Sequence, residues 1–95
     1  MMLEQRVAPT VRITRPANGA TVPSVQVIDA YAADNVAVSA MSIMVDGVVV
    51  AIGNKGFLSY TWITTKGTKG LHTITATAKD TSGNTAVPVT IHVQD

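Results

Sequence analysis

Residues 70–84, which read GLHTITATAKDTSGN, decide the fold of this chain. From His72 to Lys79 the side chains alternate over eight residues, so that histidine, isoleucine and two alanines point one way and the threonines point the other. A period of two predicts a β-strand with one buried and one solvated face. Residues 80–84 then predict a turn, because Gly83 accepts a positive φ and the flanking Asp and Asn side chains can hydrogen-bond local backbone.

Further stretches of strand character lie on both sides of it. They fall at Thr10–Thr14, Val25–Ala33, Val38–Val45, Val48–Ile52, Phe57–Thr64 and after Asn84. Turn signals separate them, and Asp46-Gly47 predicts a type I′ hairpin because both residues tolerate a positive φ. About seven or eight short strands of this kind predict an all-β, antiparallel β-sandwich.

The strand predicted at Val25–Ala33 carries apolar residues on both of its faces. Val25 and Val27 share one face, whereas Ile28 and two alanines share the other. A regular strand cannot bury both sets, so we expect a β-bulge near Ile28-Asp29. The alternative is that the valine pair stays exposed.

The side chains expected in the core are mostly aliphatic, with Trp62 the largest. They are Ile13, Ile28, Ala30, Ala32, Met41, Ile43, Val45, Leu58, Tyr60, Trp62, Ile74, Ala76, Ala78, Val89 and Ile91. In the last strand Val87 and Val93 are also expected to face inward. Pro88 cannot donate to a β-ladder, which places that strand near a sheet edge.

Composition excludes several classes of function. Charged residues make up 14% of the chain, about half the usual share. A net charge of +1 without a basic run gives no support for a nucleic-acid partner. The chain has no cysteine, which excludes a thiolate metal site. Its longest apolar run, Val48–Ile52, is too short for membrane insertion.

The chain of 95 residues is long enough for one domain. We expect residues 1–9 to be a linker and residues 10–95 to form the sandwich. We also expect the chain to be cut from a longer exported protein.

Five short motifs stand in order along residues 10–94. They read VRITRPANGATV (11–22), AYAADN (30–35), VDG (45–47), YTW (60–62) and GLHTITATAKDTSGN (70–84). Together they resemble the bacterial Ig-like domain, an Ig/fibronectin-type-III-like module of secreted multidomain bacterial proteins. The sequence departs from that pattern at Gln26, where an apolar residue is usual, and at Ile63, where a polar residue is usual.

The resemblance implies an Ig-like sandwich in a secreted or cell-surface protein. It implies a non-catalytic accessory module that spaces or presents neighbouring domains of the same polypeptide, beside a hydrolase or an adhesin. The alternative is a module that binds a polysaccharide or a cell-surface protein. Fold analogy does not by itself fix function.

Nothing in the sequence predicts catalysis. His72 is in phase with the buried Ile74 and is expected at the rim of the core. His92 is out of phase with Ile91 and is expected in solvent. No nucleophile, metalloprotease or phosphate-loop spacing occurs.

Two turns expected at the same end of the sandwich would gather four oxygen-bearing side chains. These are Asp34, Asn35, Asp80 and Asn84. Calcium takes roughly six to eight hard oxygen ligands, so the four side chains could supply part of a calcium site. The alternative is that they brace their own turns. No other cofactor is predicted.

Sugar binding needs exposed aromatic rings as stacking platforms. Tyr60 and Trp62 are in phase with the core, which leaves Tyr31 and Phe57 as candidate ligand-binding rings. The remaining option is adhesion to a protein through exposed apolar side chains, namely Met44, Val49 and Ile63.

The expected topology separates the two ends of the domain. The first strand starts at the end that holds the four oxygen-bearing side chains, and the last strand finishes at the opposite end. This arrangement suits chaining of domains end to end. A strand of nine residues would hold the neighbours roughly 30 Å apart, with the calcium site beside the incoming linker.

Overall fold

The computed structural model describes residues 8–34 and 37–95. The described residues form seven strands, namely β1 (Thr10–Arg15), β2 (Val25–Ala33), β3 (Val38–Val45), β4 (Val48–Gly53), β5 (Phe57–Ile63), β6 (Leu71–Asp80) and β7 (Val89–Gln94). A single 3₁₀ turn, Thr64–Lys66, follows β5. No helix among these residues is long and apolar enough to cross a membrane.

The strands form two sheets packed face to face. The three-stranded sheet has the order β1-β2-β5, and the four-stranded sheet has the order β4-β3-β6-β7. All neighbouring strands are antiparallel. The predicted antiparallel β-sandwich is therefore confirmed. The linker predicted at residues 1–9 falls mostly outside the described residues, and Pro9, which is described, is buried.

The predicted hairpin joins β3 to β4. Val45 pairs with Val48, and the two residues between them have φ of 53° at Asp46 and 82° at Gly47. Positive φ at both central residues is the mark of the type I′ turn. The Asp-Gly prediction is thus confirmed.

The core lies between the sheets. The residues predicted to fill it are buried there, with Val87 as the exception, or are partly buried against it, namely Ile13, Ala32, Leu58, Tyr60 and Val89. Ile28, Ile43 and Ile74 are completely buried, and Trp62 is 8% exposed. The prediction for Val87 is wrong, because it is 84% exposed. The inward residue of that segment is Ala86, whose N–H donates to the carbonyl of Ala78 at 2.9 Å. The core cluster also holds three apolar residues that were not predicted, namely Val11, Val22 and Ala86.

The predicted bulge lies on a different strand. β2 pairs with β5 from Val25 to Tyr31 without a register shift, so the prediction of a bulge at Ile28-Asp29 is wrong. The shift occurs on β1, where Thr14 is an extra residue between Ile13 and Arg15. β2 stays regular with Val25 51% exposed and Val27 half-buried, so the alternative, in which the valine pair stays exposed, holds for Val25 only.

The free edge of β7 is covered by the chain before β2. The N–H groups of Gly19 and Val22 donate to the carbonyls of His92 and Gln94 at 2.6 and 2.8 Å. The N–H of Gln94 donates back to the carbonyl of Ala20 at 3.0 Å. β7 is an edge strand of its sheet, as Pro88 predicted. Covering such an edge prevents it from pairing with another chain.

The two ends of the sandwich follow from the strand registers. Thr10, the first residue of β1, pairs with Ala33 at the end of β2. Gln94, the last residue of β7, pairs with Leu71 at the start of β6. The end of β6 lies beside the β2–β3 connection, because the N–H of Thr81 donates to the carbonyl of Ala37. Thr10 and Gln94 therefore lie at opposite ends, as predicted.

Candidate functional site

The bulge on β1 brings two arginines to the outer face of the three-stranded sheet. On a regular strand, side chains three residues apart point to opposite faces. The extra residue at Thr14 changes this, so that Arg12 pairs with Tyr31 and Arg15 pairs with Asp29. Both partners lie on the outer side of β2, because the residues that alternate with them face the core.

The two predicted surface rings form one pair on this face. Tyr31 and Phe57 are directly opposite each other on β2 and β5. Their ring centroids are 4.8 Å apart with an interplanar angle of 50°, and the residues are 41% and 44% exposed. The guanidinium carbon of Arg12 lies 5.9 Å from the Tyr31 ring centroid, which is within the range of a cation–π contact. Their role in ligand binding stays a prediction.

The second arginine of the face is held by a buried carboxylate. Asp29 is 6% exposed, and Nε of Arg15 donates to its Oδ2 at 2.7 Å. A hydrogen bond from Ser59 lowers the pKa of Asp29, burial raises it, and Arg15 lowers it further, with a net shift downward. Asp29 is therefore ionised at neutral pH. It fixes the Arg15 side chain, which is still 61% exposed.

We call Arg12, Arg15, Asp29, Tyr31 and Phe57 the arginine–aromatic face. Sequence reasoning found its two rings but missed its charged residues. The arginines were missed because the bulge was not predicted on β1. On a regular strand Arg12 and Arg15 would lie on opposite faces.

A second cluster of polar groups surrounds His72 at the other end of the sandwich. His72 is 5% exposed, and its Nδ1 lies 2.7 Å from Asp46 Oδ2 while its Nε2 lies 3.2 Å from Asp95 Oδ1. The indole of Trp62 meets the imidazole edge to face, with centroids 5.0 Å apart. The N–H groups of Thr73 and Gly70 donate to the same two carboxylates.

The charges of this cluster stabilise one another. The hydrogen bond to Asp46 raises the pKa of His72 against the effect of burial, and Asp95 raises it further. Burial opposes ionisation of Asp46 and Asp95, but the pKa of each is lowered by hydrogen bonds from His72 and from backbone N–H groups. His72 was predicted at the rim of the core, and it is buried there beside Trp62, although its two carboxylate partners were missed. His92 is exposed, as predicted.

The residues of the predicted calcium site are only partly described. Asn35 lies outside the described residues, and Asp34 is half-buried. Asp80 is 1% exposed; its Oδ1 accepts the N–H groups of Ser82 and Asn84, and its Oδ2 accepts the Asn84 amide. Although burial opposes it, these bonds lower the pKa of Asp80. Asp80 thus braces its turn, and the calcium site stays a prediction.

Within residues 8–34 and 37–95, no group of three His, Cys, Asp or Glu side chains is placed to hold a metal ion. Of the apolar residues predicted to be exposed, Val49 is 54% exposed, whereas Met44 and Ile63 are only half-exposed at most. Met44 and Ile63 are therefore less exposed than predicted, and a role of these three residues in adhesion stays a prediction.

Two antiparallel sheets with this strand order, and one short 3₁₀ turn among the described residues, define an immunoglobulin-like sandwich module. The fold is of a kind that typically serves as a non-catalytic module. A family model for the bacterial Ig domain matches residues 9–76. The chain belongs to this family. A search of the curated proteins finds no match.

Solved structures of similar fold come from larger proteins. The fibronectin(III)-like modules of Clostridium thermocellum CbhA are 24% identical with a TM-score of 0.74, over 96% of this chain and 48% of that chain. The endo-beta-1,4-mannanase from Thermotoga petrophila is 17% identical with a TM-score of 0.73, over 96% and 20%. A double mutant of the Cellulomonas fimi endo-beta-1,4-mannanase is 27% identical with a TM-score of 0.60, over 90% and 18%. The chain thus spans about half the length of the CbhA chain and about a fifth of the length of each mannanase.

Proposed function

We propose that this chain is a non-catalytic accessory module of an extracellular bacterial protein, where it spaces or presents neighbouring domains. The observation that carries the proposal is the separation of Thr10 and Gln94 to opposite ends of the sandwich. A domain that receives the chain at one end and releases it at the other holds its neighbours apart. The similarity to parts of two mannanases supports a place beside a secreted hydrolase.

A distance measurement between neighbours tests the spacer role. The chain is placed between two rigid reporter domains, each with one nitroxide label on an introduced cysteine; the chain itself has no cysteine to label. Pulsed electron resonance should give one narrow distance distribution, longer by roughly 30 Å than in a direct fusion of the reporters. The control is a Gly/Ser linker of equal length, which behaves as a random coil. A distribution as broad as this control would contradict the proposal.

The same samples test the calcium role, which belongs to this proposal. Calcium bound by Asp34, Asn35, Asp80 and Asn84 would stiffen the joint beside β1. Millimolar calcium should then narrow the distance distribution. An unchanged distribution, together with an unchanged melting temperature, would leave these four residues as turn braces.

A second candidate function is the binding of a polysaccharide or a glycan-bearing cell surface. The pairing of Tyr31 with Phe57 on an exposed sheet face favours it, because two adjacent rings offer a larger stacking surface than either ring alone. Pull-down on insoluble cellulose, mannan and cell-wall preparations tests it. Tyr31→Ala and Phe57→Ala should each lower the bound fraction, and equal binding by both variants and the parent would exclude this site.

A further inference from the structure

We propose that the arginine–aromatic face binds an anionic polysaccharide whose pyranose rings carry carboxylate groups. The inference rests on the second candidate function and adds the charge of the ligand and the residues that select it. Tyr31 and Phe57 provide the stacking surface, and Arg12 and Arg15 receive the carboxylates.

The backbone of β1 supplies the first argument. Without the extra residue at Thr14, Arg15 would face the core side of the sheet. The bulge instead places both arginines in one row on the outer face, each beside an outward residue of β2. Bulges are frequent where a strand must re-aim a side chain toward a binding site.

The charge of the face supplies the second argument. Asp29 is buried beneath Arg15 and neutralises one guanidinium, so two arginines and one aspartate leave one positive charge on the face. Arg15 uses its Nε and one terminal nitrogen for Asp29, which leaves its other N–H groups available in a fixed position. A planar carboxylate matches the donor fork of a guanidinium.

The shape of the face supplies the third argument. Tyr31 and Phe57 present two adjoining, partly exposed rings that are tilted by 50° to each other. Tyr31 also lines a hollow of about 420 Å³, together with Thr10, Arg12 and Ala33 among others. Because the Arg12 guanidinium lies over the Tyr31 ring, 5.9 Å from its centroid, a pyranose ring that packs against the exposed part of the Tyr31–Phe57 pair would have a substituent within reach of Arg12. A neutral sugar in the same position would offer no carboxylate to Arg12.

Affinity electrophoresis of the 95-residue chain tests the proposal. Native gels contain polygalacturonate, neutral galactomannan or dextran sulfate. We expect the strongest retardation in polygalacturonate. Arg12→Lys, which keeps the charge but loses the fork, should weaken that binding about tenfold. Tyr31→Ala should weaken it about fivefold.

The matched control is Lys79→Gln, which removes one positive charge from an exposed position of the four-stranded sheet and should leave binding unchanged. Equal retardation in galactomannan and polygalacturonate would overturn the anionic specificity and leave glycan binding standing. Retardation in no glycan would overturn both. Binding to dextran sulfate as strong as to polygalacturonate, or equal losses in Lys79→Gln and Arg12→Lys, would show unspecific charge attraction and would overturn the proposal.

Discussion

Replacing Trp62 with alanine should lower the free energy of unfolding by about 3–5 kcal/mol, the usual cost of emptying a large aromatic core position. Trp62 is 8% exposed and is the largest side chain of the buried core. It also contacts the imidazole of His72 edge to face at 5.0 Å. The substitution therefore removes both apolar burial and the packing that orders a buried charged group.

Urea unfolding followed by far-ultraviolet circular dichroism measures this loss, because the variant lacks the only tryptophan of the chain. The matched control is Phe57→Ala, which removes an aromatic ring from the outer side of the same strand. Phe57 is 44% exposed and contacts Tyr31, so its loss should cost about 1 kcal/mol. If the free energy of unfolding of Trp62→Ala were within about 1 kcal/mol of that of the parent, Trp62 would not be a core residue. The face of β5 assigned to the core would then be wrong.

The sequence carries enough information for the strands because burial on one face imposes a period of two. β6 shows this most clearly, since His72, Ile74, Ala76 and Ala78 are buried and the threonines between them are half-exposed. The hairpin at Asp46-Gly47 was readable for a local reason, because positive φ at both positions restricts the residues that fit. Both signals are local, because each is contained in a short stretch of neighbouring residues.

The bulge was misplaced because the apolar pattern of β2 has another cause. Apolar residues stand on both faces of β2 because Val25 stays half-exposed, and this pattern carries no information about β1. The structure keeps β2 regular between its two neighbours and places the extra residue at Thr14 on β1. An edge strand tolerates an extra residue more readily, because it has a ladder on one side only. Sequence periodicity in a six-residue strand cannot show this.

The candidate sites depended on register, which the sequence does not show. Tyr31 and Phe57 are adjacent because β2 and β5 pair with these two residues opposite each other. Likewise, His72 meets Asp46 from the β3–β4 hairpin and Asp95 after β7. Alternation predicted which way each side chain points, but it did not predict which partner stands opposite.

The partners of His72 should make the stability of the sandwich depend on pH on both sides of a maximum. Only the imidazolium form can donate to Asp46 and Asp95 at the same time, because neutral histidine has a single ring N–H. The hydrogen bond to Asp46 raises the pKa of His72 above its ordinary value of 6.5, burial opposes this rise, and Asp95 adds to it. Folding therefore favours the protonated ring.

The sign of each contribution follows from the direction of the shift. The contribution of His72 is fully present below about pH 6.5 and is lost as the pH rises through its raised pKa. The pKa values of Asp46 and Asp95 are lowered from 3.8 by hydrogen bonds that outweigh burial. Their contribution is present above about pH 3.8 and is lost as the pH falls through the lowered values. We expect greatest stability between about pH 4 and 6.5.

His72→Gln should remove the alkaline side of this profile. At pH 5.5 it should cost about 2–4 kcal/mol, less than a fully buried ion pair, because the side chain of Asp46 is 48% exposed. Urea unfolding followed by Trp62 fluorescence from pH 4 to 9 measures both the loss of stability at pH 5.5 and the change in the pH dependence. His92→Gln is the matched control, because His92 is exposed on β7 and its loss should change the free energy of unfolding by about 0.5 kcal/mol or less. If the free energies of unfolding of His72→Gln and the parent ran parallel between pH 6 and 9, the imidazole would not gain a proton on folding. The cluster would then make stability depend on pH only at acid pH, through Asp46 and Asp95.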